Sequence, residues 1–212
     1  MAIEHLERPR AVQGARVAPL PAASPGPATA PRAAPVPVVR IGLQVALGYE
    51  WLASGLDKVL YGHFPAALGG LLAGVLGGVH IPAPFAALLR AVVLPHAALF
   101  GWFIEWGEAL AGLALLAAAL AALLAPLLAR RLAPSVRARL GRARRVVDAL
   151  AFVAAAGTVA LGISFYLLDG APPFWPLPSV AFGGAVDTGL LLAALAAPLL
   201  LAPLVAWARR QR

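Results

Sequence analysis

Five ionisable side chains, Glu50, Asp57, Lys58, Glu105 and Glu108, stand inside otherwise apolar stretches of this 212-residue chain. A charge in a helix that must face hydrocarbon costs a few kcal/mol, so each one asks for a partner or a function. Successive helical residues rotate by about 100°. That sets Glu50 and Asp57 on nearly one face, with Ser54 between them and Lys58 on the flank. In the second polar stretch Gly101, Glu105, Glu108 and Gly112 recur at steps of three and four residues. Small residues on such a face let another helix approach closely, and packing the two faces together brings Lys58 within reach of Glu105 or Glu108.

The chemistry open to such a cluster is acid–base. Carboxylates can hold or move protons, and an ammonium attracts an anionic or carbonyl oxygen. Lys58 is the only lysine among 17 basic residues, and unlike arginine it can give up its proton. The same residues could serve only as an ion-pair network that fixes helix register. Four carboxylates against one ammonium leave an excess of three negative charges, more than pairing needs. Protonated carboxylates, a cation, a proton path or a polar ligand would account for the excess. Trp51, Trp102, Phe103 and Trp106 surround the cluster with flat aromatic surface, and His63, His80 and His96 lie in the adjoining connection.

The elements that must position these residues are membrane spans. The chain is 61% hydrophobic and 12% charged, against roughly 45–50% and 25% in soluble domains, which excludes an ordinary soluble fold. Runs long enough to cross about 30 Å of hydrocarbon extend over about 38–60, 97–124, 146–168 and 186–207. Between the first two, the glycine-rich "FPAALGGLLAGVLGGV" from Phe64 to Val79 is apolar but short, as expected of a re-entrant or interfacial helix. The expected fold is all-α, a polytopic membrane four-helix bundle over 38–208 with that short helix between its first and second spans. Residues 1–37 are Pro/Ala-rich, with eight prolines and no apolar run, and read as a disordered tail rather than a signal peptide.

Orientation follows from arginine. Five arginines run from the N-terminus to Arg40, seven from Arg130 to Arg145 and three follow Trp207, while the remaining segments hold only Arg90. This asymmetry places both termini and the basic end 209–212 in the cytoplasm of a multi-pass protein of the cell membrane. The +8 net charge therefore reports topology, and no nucleic-acid partner is expected. Glu105 and Glu108 then lie roughly 12–17 Å below the outer start of the second span at ~1.5 Å per residue, in the outer half of the bilayer. The outer connections carry "IPAP" at Ile81–Pro84 and "APPFWPLPS" at Ala171–Ser179, where proline at this density opposes regular helix and Phe174 and Trp175 suit an interfacial aromatic belt. Pro198 and Pro203 predict a kink or freed carbonyls in the last span.

Other chemistries find little support. With no cysteine, disulfides, thiol relays, iron–sulfur clusters and c-type haem are excluded. The histidines outside the tail lie in a connection without ligand spacing, so neither bis-His haem nor a metal site is expected. No phosphate loop, nucleophile elbow or zincin motif occurs.

"RIGLQVALGYEWLASGLDKVLYG" from Arg40 to Gly62 and "FGWFIEWGEALAGLALLAAAL" from Phe100 to Leu120 resemble the DoxX/DoxD-like family of small four-helix membrane proteins. The arginine opening the first helix, the "SGLDK" ending at Lys58 and the E-x-x-E-x-x-x-G-x-x-L run from Glu105 to Leu115 carry the likeness, which covers about 40–120. The family's namesakes are subunits of a thiosulfate:quinone oxidoreductase, so the resemblance implies a membrane subunit that helps pass electrons from a sulfur compound to membrane quinone. In that expectation Lys58, Glu105, Glu108, Asp57 and Glu50 are catalytic, with Lys58 attracting a quinone or anionic oxygen. Trp102, Trp106, Trp51 and Ser54 bound the quinone pocket, and the partners are the lipid bilayer, a second oxidoreductase subunit and further copies of the chain. A non-enzymatic scaffold or assembly subunit is the alternative. A small transporter is the third reading, but it calls for broken helices and a polar path to both faces, and the last two spans carry no charge at their centres.

Overall fold

A computed structural model describes residues 38–78, 80–129, 131–171 and 187–211. The tail 1–37 lies outside them, as do Phe174 and Trp175 in the second proline-rich connection. Every regular element among the described residues is helical. Helix α1 (Val38–Asp57) ends in a π turn over Lys58–Gly62, and α2 (Phe64–Gly78) follows at once. The short α3 (Ala83–Leu88) runs through a π turn (Leu89–Val93) and a 3₁₀ turn (Leu94–His96) into α4 (Ala97–Ala129), and α5 (Pro134–Leu168) and α6 (Thr188–Arg210) complete the chain.

Proline sets several of these boundaries. The "IPAP" segment starts a helix where the sequence suggested a break. Pro82 caps α3 and Pro84 sits in its first turn, where a missing N–H costs nothing and a fixed φ suits the helix. Likewise Pro134 opens α5, which begins twelve residues before the expected third span. The exposed arginines from Arg137 to Arg145 are thus helical, in keeping with arginine's good helix propensity. Helix α6 runs continuously through Pro198 and Pro203, and the Asp187 carboxylate caps it by accepting the Leu190 N–H at 2.7 Å.

Three helical segments are long and apolar enough to cross a membrane: 83–128, Pro134–Leu168 and Thr188–Arg209. Helix α1 with its π turn, carrying Arg40, Glu50, Asp57 and Lys58, meets that standard only together with α2, as a pair bent by 102°. The bend falls at His63, whose φ of 45° and ψ of 31° lie in the left-handed region, uncommon for a residue with a Cβ.

The four long helices share one core. Helix α1 lies on α4, α4 on α5, α5 on α6 and α6 on α1, while α2 leans on α4. Leu47, Trp51, Leu115, Ala118, Ala155, Ala196 and Leu199 form the interior. Small residues let the backbones meet. A Cβ on Gly55 would strike the backbone of Ala109, and one on Gly112 the backbone of Leu52. Without those two glycines α1 could not sit close enough to α4 for short polar side chains to bridge them.

Candidate functional site

The α1–α4 seam carries the polar cluster. Lys58 Nζ donates to Glu108 Oε2 at 2.5 Å and to Ser54 Oγ at 2.6 Å, and Ser54 Oγ donates to the same Glu108 oxygen at 2.9 Å. The triangle joins one turn of α1 to α4. Its carboxylate is fully buried, whereas the lysine side chain keeps 22% exposure. An ammonium bound to a desolvated carboxylate makes a strong, charge-assisted hydrogen bond. Lys58 also lies over the Phe64 ring, 5.5 Å from its centre.

Glu108 is only half satisfied. Its second oxygen, Oε1, is buried with no hydrogen-bond partner among the described residues, and so is the indole Nε1 of Trp51. Both residues line the same cavity of about 510 Å³ between α4 and α5. The remaining wall is apolar, from Phe100, Ile104, Ala111 and Leu161, with Thr158 as a further polar side chain. Phe103, Leu110, Leu150 and Val153 edge the cavity and are themselves exposed on the bundle exterior, so it opens sideways between the two helices. The spare donor and acceptor are themselves closed to water-sized contact and lie behind the cavity's apolar wall, so the space as it stands suits a flat, mostly apolar molecule.

A smaller cavity of about 330 Å³ lies on the other side of the ion pair, lined by Lys58, His63, Pro65, Trp102 and Glu105 among others. Glu105 is 3% exposed, and it makes no hydrogen bond or ion pair among the described residues.

Glu50 and Asp57 stand apart from this arrangement, both exposed on α1. The buried face of α1 is centred on Gln44, Trp51 and Gly55. At about 100° per residue, Glu50 and Asp57 lie roughly 120–140° round from its centre, while Ser54 and Lys58 fall nearer its edge. The aromatic walls of the larger cavity come from Trp51, Phe100 and Phe103 rather than from the expected Trp102 and Trp106. Trp102 and Trp106 are 54% and 47% exposed, and Trp102 borders the smaller cavity instead.

Some of the polar structure was not singled out from the sequence. Arg40 Nη2 meets Asp148 Oδ1 at 3.2 Å, tying the start of α1 to α5, and Arg144 adds a looser contact to Asp148 at 3.7 Å. The four-residue step from Arg144 to Asp148 was the available signal. Gln44 Oε1 is a further buried acceptor without a partner, beside a third cavity lined by Arg40 and Asp148. Nothing marked the α5 wall of the larger cavity in advance, because Leu150, Val153, Ala154 and Leu161 are indistinguishable from their neighbours in hydropathy. At the ends of α5 and α6, burial, a hydrogen bond with Asp187 and that residue's charge together hold the Asp169 carboxyl above its ordinary range.

No family model, curated protein or solved structure matches the chain.

Proposed function

We propose that the protein is a membrane subunit of a quinone-linked oxidoreductase, with both termini in the cytoplasm, four spans, the α1–α2 bend at the outer side and the α4–α5 cavity as its quinone site. The observation that carries this reading is the apolar α4–α5 cavity walled in part by Trp51 and Glu108, two residues that each keep a buried polar atom without a partner among the described residues. A buried polar atom left without a partner costs about 1–3 kcal/mol, so a ligand that draws both atoms to the cavity surface by small side-chain rotations recovers that cost. Quinone, when bound, supplies two-electron, two-proton acceptor chemistry. Trp51 Nε1 would then donate a hydrogen bond to a ring oxygen, and the Glu108 carboxyl, held at Oε2 by Lys58 and Ser54 in the resting protein, would pass a proton to the ring after rotating toward it. The sideways opening suits a ligand that arrives through the bilayer. Its electrons come from a sulfur compound such as thiosulfate, in line with the sequence likeness to DoxX/DoxD-like proteins. Because the chain has no cysteine, the sulfur chemistry takes place on a partner subunit or directly with the quinone.

The test is thiosulfate-dependent reduction of a short-chain quinone by membranes carrying the parent, Trp51→Phe or Glu108→Gln at equal abundance. The reading expects turnover by the parent, a quinone KM about tenfold higher for Trp51→Phe, the worth of one hydrogen bond, and a kcat roughly 10²-fold lower for Glu108→Gln. Absence of turnover in the parent together with a partner-purified complex would remove it. The satisfied Oε2, held by two donors from α1, favours a second reading in which the pair only locks α1 to α4. That reading expects Glu108→Gln to lower abundance and Trp51→Phe to act only through core packing, with no change in quinone KM.

A further inference from the structure

The two cavities lie on opposite sides of one ion pair. Glu108 walls the larger one, while Lys58, bonded to Glu108 Oε2, walls the smaller one. Three ionisable residues line the smaller one, against Glu108 alone in the larger. The smaller one holds Lys58, the buried and unpartnered Glu105, and His63 at the exposed bend. Its position follows from the fold: the left-handed turn at His63 swings α2 across the start of α4, and Pro65 comes so close to Gly101 that a Cβ there would collide with it. Glycine populates such a turn freely and stands next door at Gly62, yet a histidine occupies it. A strained residue of that kind is a pointer to function. A carboxylate removed from bulk water and given no internal donor also needs a partner from outside the protein.

We infer that the smaller cavity is a water-filled vestibule that feeds protons from the outer surface to the Lys58–Glu108 pair, so that the α4–α5 site takes up its protons from the outer side. The inference rests on the quinone reading for the use of those protons, but the water access does not. In the proposed reaction two electrons leave the sulfur donor, and two protons must reach the acceptor's oxygens to balance them. A proton passes from the Lys58 ammonium to Glu108 Oε2, rotation of the now neutral carboxyl carries that protonated oxygen to the α4–α5 side, where the acceptor takes the proton, and the lysine regains one from water ordered by Glu105 and His63. Asp57, on the same turn of α1, is exposed and stands outside this path. An arginine in place of Lys58 would stop it, because a guanidinium holds its proton.

The chain's lack of cysteine makes the access test direct. Ala98, which lines the vestibule, Leu99, its outward-facing neighbour, and Ala114, which lines the α4–α5 cavity, are replaced singly by cysteine in the full chain, reconstituted in lipid vesicles. Each variant meets a charged trimethylammonium methanethiosulfonate added from the outer side. Rapid modification of Ala98→Cys, with Leu99→Cys and Ala114→Cys reacting only with a lipid-soluble maleimide, is the expected pattern. An unreactive Ala98→Cys would overturn the vestibule. Equal reaction of Leu99→Cys would place the start of α4 in open water, and equal reaction of Ala114→Cys would merge the two cavities; either result overturns it as well.

Glu105→Gln tests the proton step. Removing a buried, unpaired charge should leave the fold at least as stable as the parent's, while kcat for quinone reduction falls roughly 10²-fold and the quinone KM stays within about twofold. Unchanged kcat, or a loss expressed in KM, would overturn proton delivery through Glu105. Failure of the parent to turn over, with Ala98→Cys labelled as expected, would instead remove the quinone reading and leave the water access standing.

Discussion

Replacing Lys58 by methionine isolates the ion pair on which the site is built. Glu108 Oε2 would keep only the Ser54 hydroxyl at 2.9 Å, and its side chain is fully buried, so water cannot replace the lost ammonium. Breaking a buried pair in this way costs about 3–5 kcal/mol. The reverse change, Glu108→Leu, strands an ammonium that is 22% exposed and can turn toward the smaller cavity, so it costs less, about 1–2 kcal/mol. The double variant leaves no uncompensated charge, and its cost falls to about 1 kcal/mol or below, because apolar residues of similar volume replace buried pairs with little loss. The coupling energy is then roughly 3 kcal/mol or more, against a tolerance of about 0.5 kcal/mol for independent sites. Equilibrium unfolding in mixed detergent micelles, followed by circular dichroism, measures all four proteins. Additive costs would mean that the pair does not exist in the folded protein, and the reasoning from it would fall.

Three further outcomes follow from particular contacts. Gly112→Ala should cost about 1–3 kcal/mol by overpacking, since its Cβ meets the Leu52 backbone, whereas Gly107→Ala on the same helix meets nothing within 4 Å and should stay within about 0.5 kcal/mol; detergent unfolding separates them. Gly107 lines the α4–α5 cavity, so Gly107→Leu should leave the fold intact, fill the cavity and abolish saturable binding of a short-chain quinone measured by equilibrium dialysis. The third concerns the ends of α5 and α6. The raised Asp169 carboxyl means that the folded chain holds this proton more tightly than the unfolded chain does. Its stabilisation is therefore complete below the ordinary value of 3.8 and is lost as pH rises through the higher folded value. Asp187→Asn removes the neighbouring charge while keeping a helix cap, so the fall in melting temperature with rising pH should flatten.

The meeting of Lys58 with Glu108 was legible because two ordinary signals agree. Charges in apolar runs need partners, and glycines at helical spacing mark where helices touch. Glu50 and Asp57 share that polar stripe, but the buried face of α1 is set by Gln44, Trp51 and Gly55, and a helix face centred elsewhere turns both carboxylates outward. The lower boundary of α5 was missed because the arginine-rich stretch was read for charge alone, although Pro134 and good helix formers extend the helix through it. The α4–α5 cavity was illegible for a different reason. Apart from Thr158, the α5 residues lining it are alanine, glycine, valine and leucine, so no polar landmark fixes the rotation of α5. Only the packed helices bring Trp51 and Glu108 to the wall of one cavity.

The central claim is tested most directly by photoaffinity labelling of the full chain in vesicles with an azido-quinone, followed by peptide mapping. The account predicts saturable labelling, displaced by unmodified quinone, in α4 between Phe100 and Ala114 and in α5 between Leu150 and Leu161, and its loss in Gly107→Leu. Labelling that does not saturate, or that maps to other helices and persists in Gly107→Leu, would contradict it.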